Sequence, residues 1–328
     1  MVAIPPKPEQ QIINRVYAAI QKEKADSELY LGRLGSSGIG EECVRQVWLN
    51  WRGFAREQFD GRLYRLFETG HLQEARIVDD LRRAGFAVWD KQPDGRQYEF
   101  GDSTGHFITK VDGVVRDVPE SNKPHLLEVK THNKNSFSSL LKKGVADSKP
   151  SHYAQVQISM ALGGFSRALY VAVCKDDDRL HVERIERDRA VAEKHIERGA
   201  RIALAERMPP GISDDPSWYE CKFCPARDMC HASRKTTEIN CRTCAHSTPG
   251  GDGQWRCARW GDETIPSDAQ RIGCGSHVFH PDLVPWQLHD SGIEWVALWE
   301  IDSAMVANGE ADTNVYSSRE ILGETDAA

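Results

Sequence analysis

A mixed α/β fold, with a central mixed sheet flanked by helices and a small metal-stapled module at the C-terminus, is what this 328-residue sequence predicts. Three observations carry that expectation. Apolar residues recur at helical spacing up to about residue 84 and then alternate with polar ones between 86 and 131, the period of strands. A helix followed by two strands reads over 151–186. Beyond it, seven of the nine cysteines crowd between Cys221 and Cys274, a density hard to explain without metal or disulfide chemistry.

The elements follow in order. Ile12, Ile13, Val16 and Ile20 space a helix over 8–24. A glycine-rich turn, Leu34 to Gly40, comes next, with Ser36 or Ser37 able to cap a second helix that carries Cys43, Val47 and Trp48. The third helix runs from about 63 to 84 with Leu66, Phe67, Ile77, Val78 and Leu81 as its buried stripe. Strands are expected at 86–90, 97–100, 106–117 and 125–131, separated by Gly, Asp and Pro turns. A helix at 151–163, strands at 168–174 and 180–186 around the Asp176-Asp177-Asp178 turn, and a polar helix over 188–207 complete this part. Pro209-Pro210-Gly211 ends it. From about 241 short cysteine-rich loops dominate, and the last 15 residues read as frayed.

Composition narrows the class. With 40% hydrophobic and 28% charged residues the chain is an ordinary soluble globular protein. No apolar run approaches the roughly 20 residues of a membrane span. Met1 to Lys7 holds no apolar signal segment, so a cytoplasmic location, in a bacterial cell or a phage-infected host, is the expectation. Reduced thiols there favour metal over disulfide. Forty-nine acids against 42 bases give a net charge of −7, so nucleic-acid binding would need a local basic surface rather than bulk charge.

The sharpest chemistry lies in Lys110-Val111-Asp112-Gly113 and Leu126-Leu127-Glu128-Val129-Lys130-Thr131. On a strand Glu128 and Lys130 share one face while Leu127 and Val129 take the other. If the strand holding Asp112 is its hairpin neighbour, two carboxylates converge and can hold Mg²⁺. Such an ion activates a water and stabilises phosphate charge, and the lysine orients that water or neutralises the developing charge. A solvated strand face with an ion pair is the plainer reading of the tripeptide alone. Upstream stands Gly70-His71-Leu72-Gln73-Glu74, and downstream His152-Tyr153-Ala154-Gln155-Val156-Gln157.

This order of motifs over residues 30–232 resembles the PD-(D/E)XK nuclease superfamily, in particular its RecB-like and lambda-exonuclease-like branches. The resemblance implies a restriction-endonuclease-like core. Asp112, Glu128 and Lys130 match its catalytic set, and Glu74, at the Gly-x-x-x-Glu spacing from Gly70, or His71 matches its helix-borne metal ligand. Tyr153, Gln155 and Gln157 match a Tyr-x-Gln-x-Gln segment that helps position the scissile strand or the water. Thr109-Lys110 departs from the family, which has a small residue or glycine there. The implied activity is Mg²⁺- or Mn²⁺-dependent hydrolysis of DNA, linear duplex or single strand, by an exonuclease in recombination, repair or phage DNA processing. Compatible protein partners are a single-strand annealing or recombination protein and further copies of the chain. A DNA-binding scaffold that has lost cleavage, or a sequence- or structure-specific endonuclease, are the alternatives.

The cysteines divide in two. Cys221, Cys224 and Cys230 lack a fourth ligand, which Cys43 can provide. One early cysteine with C-x2-C-x5-C after the core resembles the iron–sulfur RecB-like nucleases, among them the AddB nuclease domain and a CRISPR-associated exonuclease family. That implies a [4Fe–4S] cluster, with zinc as the alternative metal. Cys241, Cys244, Cys257 and Cys274 form a self-contained set suited to structural Zn²⁺. His277 and His280 are spare candidates read as surface residues. Arg242, Arg256, Arg259 and Arg271 beside Trp255 and Trp260 either touch DNA or pack over the metal. Cys174 reads as core. The expected division is a helical segment at 1–40, the nuclease domain at 41–235, the zinc module at 236–300 and a tail at 301–328.

Overall fold

The computed structural model describes residues 7–25, 31–54, 59–232 and 234–323. Most of the N-terminal segment read for a signal, and residues 324–328 of the tail, lie outside them. In chain order the longer helices are α1 (Pro8–Ala25), α2 (Val44–Trp51), α3 (Gly61–Arg83), α4 (Lys134–Ser148), α5 (Pro150–Leu162) and α6 (Arg189–Ala203). Four shorter ones follow: α7 (Tyr219–Lys222), α8 (Arg227–His231), α9 (Ser267–Ile272) and α10 (Ser318–Leu322). The first eight strands are β1 (Leu34–Gly35), β2 (Ala87–Trp89), β3 (Tyr98–Gly101), β4 (Phe107–Val111), β5 (Gly113–Arg116), β6 (His125–His132), β7 (Arg167–Cys174) and β8 (Leu180–Glu186). Strands β9 (Ser247–Pro249), β10 (Trp255–Cys257), β11 (Glu263–Ile265), β12 (Gln287–His289), β13 (Ala297–Ile301), β14 (Ala304–Asn308) and β15 (Val315–Tyr316) complete the chain. The class is mixed α/β, as expected. The chain divides into two compact units, one of residues 1–29, 57–99 and 110–189, the other of 30–56, 100–109 and 190–328.

The first unit is built on a five-stranded sheet in the order β2–β5–β6–β7–β8. Strands β6 and β7 run parallel, Leu126 beside Ala168 through His132 beside Cys174, and the other pairs are antiparallel. A parallel pair needs a crossover, which α4 and α5 supply. On one face Leu127, Val129, Leu169, Val171 and Val173 pack against Ile77 and Val78 of α3. Each such side chain taken fully out of water contributes about 1.5–3 kcal/mol. The opposite face of β6 presents Glu128 and Lys130.

The structure corrects several expectations here. Residues 106–117 are two strands, broken at Asp112. Gly113 permits the break: a Cβ there would stand 2.9 Å from the Trp89 carbonyl oxygen. Helix α4 was not expected at all; Asn133 caps it by accepting from Ser136 N–H at 2.8 Å. Helix α1 forms as its spacing predicts, with Ile12 65% exposed and Ile13 and Val16 exposed too. What α1 offers α3 is its backbone, because a Cβ on Gly61 would fall 2.2 Å from the Tyr17 carbonyl oxygen. In α3, Phe67 is exposed whereas Ile77 and Val78 are buried.

In the second unit neither serine caps α2; its N-cap is Cys43. Beyond residue 241 the chain is not chiefly loops. It forms a three-stranded sheet β11–β10–β9 and a four-stranded sheet β12–β13–β14–β15. The latter surrounds Trp299, fully buried with Phe279 and Val284. The described part of the tail, up to residue 323, includes α10, whose Ser317 and Glu320 make a capping box where fraying was expected.

Candidate active site

Glu128 is 1% exposed on β6. Lys130 Nζ donates to its Oε1, and its Oε2 is buried with no hydrogen-bond partner. Burial pushes the Glu128 carboxyl up to about 7, against the lowering charge and hydrogen bond of Lys130 and with the Asp112 and Glu74 charges raising it further. Asp112 stands at the β4–β5 break and its Oδ2 accepts from Val129 N–H at 2.7 Å, which ties it to the neighbouring strand. Its carboxyl is raised by burial, with Lys130, the Val129 amide and His71 working the other way. Glu74, half-buried on α3, is raised by burial and then by Asp112, against the lowering charges of His71 and Lys130. Burial works to lower Lys130, but the Glu128 and Asp112 carboxylates outweigh it and hold the ammonium charged. Three carboxylates and one ammonium, from three stretches of chain, therefore share one electrostatic environment.

The other expected residues fare differently. Tyr153 and Gln155 lie half-buried on α5. Gln157 is fully buried, donating to Glu186 O at 3.0 Å and accepting from Asp188 N–H at 2.7 Å. Its amide fastens α5 to the end of β8, and the Tyr153 hydroxyl is bonded to it as well. Lys110 is exposed.

A second group went unnoticed in the sequence. Tyr170, opposite Glu128 in the β6–β7 register, has its hydroxyl 3.0 Å from His132 Nε2 and 2.8 Å from His152 Nδ1. His132 Nδ1 lies 3.0 Å from Ser136 Oγ. The one available signal was His132 itself, two residues beyond Lys130 and on the same strand face.

All nine cysteines carry free thiols. In the second unit, Cys43 comes to Cys221, Cys224 and Cys230. Burial first, then the charges of Cys43 and Cys230, raise the Cys221 and Cys224 thiols, and Cys224 Sγ bonds Gln46 Oε1 at 3.3 Å. Cys241, Cys244, Cys257 and Cys274 line one cavity of about 20 Å³ together with His277. Burial and then the other three sulfurs push Cys241 up to about 12; burial, with smaller contributions from Cys274 and Cys257 and against backbone hydrogen bonds at Val278 and His246, pushes Cys244 up to about 11. Among the described residues no group of three or more His, Cys, Asp or Glu side chains stands, as it is, in a geometry that holds a metal ion. His277 and His280 are 2% and 5% exposed, so they are buried polar groups rather than surface ones. His277 bonds Ser318 Oγ at 2.8 Å and Thr243 Oγ1 at 3.2 Å, which uses both ring nitrogens. Arg242 is also buried, its guanidinium 4.2 Å from the Trp51 ring centre, and is withdrawn from any DNA. Arg256 pairs with Asp252, and Arg259 lies over Trp260.

No protein-family model and no curated protein matches the chain. Among solved structures, one named SSO0001 superimposes with a TM-score of 0.38 at 14% identity, over 67% of this chain and 96% of that one. An alkaline exonuclease, LHK-Exo from Laribacter hongkongensis, superimposes with a TM-score of 0.39 at 18% identity, over 57% of this chain and 89% of that one; its complex with dAMP gives the same values. At so low a superposition score and identity neither likeness assigns this chain a family or an activity. No described helix is long and apolar enough to cross a membrane.

Proposed function

We propose that the protein is a divalent-metal-dependent deoxyribonuclease, an exonuclease acting on linear DNA in recombination, repair or phage DNA processing. The observation that carries this reading is the convergence of Glu74, Asp112 and Glu128 on Lys130, in the chain order by which the sequence resembles PD-(D/E)XK nucleases. The donor set suits a hard cation. Asp112 keeps Oδ1 free of the Val129 amide, and Glu128 Oε2 is a buried oxygen without a partner, an arrangement costly to leave unsatisfied. When bound, Mg²⁺ or Mn²⁺ would supply an activated water and neutralise charge on the phosphate. Lys130 would hold its proton and stabilise the charge that builds on the phosphate oxygens. Gln155 and Tyr153 would position the strand, as the resemblance implies; Gln157 would serve by holding α5 in place.

The cysteines would brace the second unit. Cys43, Cys221, Cys224 and Cys230 would bind a [4Fe–4S] cluster, or zinc, as the resemblance implies, and Cys241, Cys244, Cys257 and Cys274 would bind a structural zinc. Burial first and neighbouring sulfurs second raise Cys241 and Cys244, and a bound cation would offset both by holding the thiolates. End-labelled linear DNA and covalently closed circular DNA, each incubated with protein and Mg²⁺, test the reading. Linear DNA should disappear and circular DNA persist. Cleavage of the circle would mean an endonuclease, and DNA bound but intact would favour the scaffold.

A further inference from the structure

Four residues that the reading above leaves without a role form one continuous chain: Ser136 Oγ, His132 Nδ1 and Nε2, Tyr170 Oη, His152 Nδ1 and Nε2. The links are 3.0, 3.0 and 2.8 Å. They come from the first turn of α4, the end of β6, the middle of β7 and the first turn of α5. Tyr170 is fully buried and His132 nearly so, while the two ends, Ser136 and His152, are half-buried. The chain flanks the candidate site, with His132 two residues along the same strand face from Lys130 and Tyr170 opposite Glu128 in register.

The proton count orders it. A hydroxyl with an imidazole nitrogen on each side donates to one and accepts from the other. Both rings are neutral near pH 7: burial first, then Lys149 and Lys130, push His132 down to about 4, and burial, Lys130, His132 and Lys149 push His152 down to about 3. Each ring thus carries one proton and one lone pair. All protons in the chain must then point the same way, toward Ser136 or toward His152, which leaves two states. In one of them His152 Nε2 is a lone pair.

We propose that His152, Tyr170, His132 and Ser136 form a proton relay that carries the attacking water's proton from the Glu128–Lys130 face to the first turn of α4; this rests on the hydrolytic reading above. The water's oxygen bonds phosphorus, the bond to the leaving sugar oxygen breaks, and the water's proton passes to His152 Nε2. The Nδ1 proton of His152 moves to Tyr170 Oη, the phenol proton to His132 Nε2, the His132 Nδ1 proton to Ser136, and the serine proton to solvent. One proton enters and one leaves, and no ring becomes cationic. The chain resets by running the other way once product has left.

Tyr170→Phe keeps the ring and cuts the chain. The expected result is a fall in kcat of about tenfold or more with little change in KM, and a solvent-isotope proton inventory that turns from curved to linear. His152→Ala should lose a similar factor and recover part of it with added imidazole. Nitrogen NMR of the full-length parent should show His132 and His152 neutral and in linked tautomers, unlinked in Tyr170→Phe. Parental rates in both variants, or losses with no imidazole rescue and an unchanged inventory, overturn the relay while the hydrolytic reading stands. A parent that leaves DNA intact overturns the hydrolytic reading, and the relay falls with it whatever the tautomers.

Discussion

Glu128 and its neighbours show how little of a site's chemistry depends on residue type alone. The same carboxylate on an open strand would be an ordinary surface acid; at 1% exposure, next to Asp112 and with one oxygen unpartnered, it is pushed up to about 7. His132 and His152 carry a consequence for stability. Their folded pKa values lie below the ordinary imidazole value, so unfolding takes up protons wherever the pH is between the two. Stability from them is fully present above about 6.5 and is lost as pH falls toward 4 and then 3. Urea unfolding at about pH 7 and about pH 4.5 should show a lower midpoint at the lower pH, and a smaller drop in His132→Gln than in the parent. An equal drop in both proteins would contradict this. Glu128 and Lys130 stood out in the sequence through strand alternation, and Asp112 and Glu74 through the order of motifs that the resemblance supplies. The His132–Tyr170–His152 chain was not, since its members meet only when β7 and α5 fold back on β6, 38 and 18 residues apart.

At the scale of elements, Gly113 does more than turn the chain. A Cβ there would meet the Trp89 carbonyl at 2.9 Å and Asp90 Cα at 3.3 Å, both backbone atoms that cannot swing aside. Gly113→Ala should cost about 1–3 kcal/mol, read as a drop of several degrees in melting temperature. It should reduce cleavage further by moving Asp112, the adjacent residue. Unchanged melting and cleavage would show that β2 is free to yield. Strand β7 was readable because its apolar run is long and sharply bounded, and β6 and β8 because apolar and polar residues alternate along them. Helix α4 escaped notice because its buried residues, Phe137, Leu140 and Val145, are few and Gly144 breaks its helical geometry. The β12–β15 sheet escaped because its strands have five residues or fewer and its core rests on one tryptophan. In α1 helical spacing gave the helix, and Ile12, Ile13 and Val16 lie exposed on it.

For the whole molecule, the two cysteine sets make separate claims. Protein purified without oxygen should be brown and carry about four iron and one zinc per chain. Two zinc and no iron would assign zinc to the Cys43 set. Absence of both metals would remove the proposed braces and leave the buried thiols of Cys221 and Cys244 as plain core. The most direct test of the central claim concerns the first unit. Linear DNA is incubated with Mg²⁺ and the parent, Asp112→Ala or Lys130→Ala protein, with folding of each checked by circular dichroism. The parent should degrade the DNA, and each variant should be slower by about a hundredfold or more. Variants that are folded and degrade DNA as fast as the parent would contradict the assignment of Asp112, Glu128 and Lys130 as the catalytic centre.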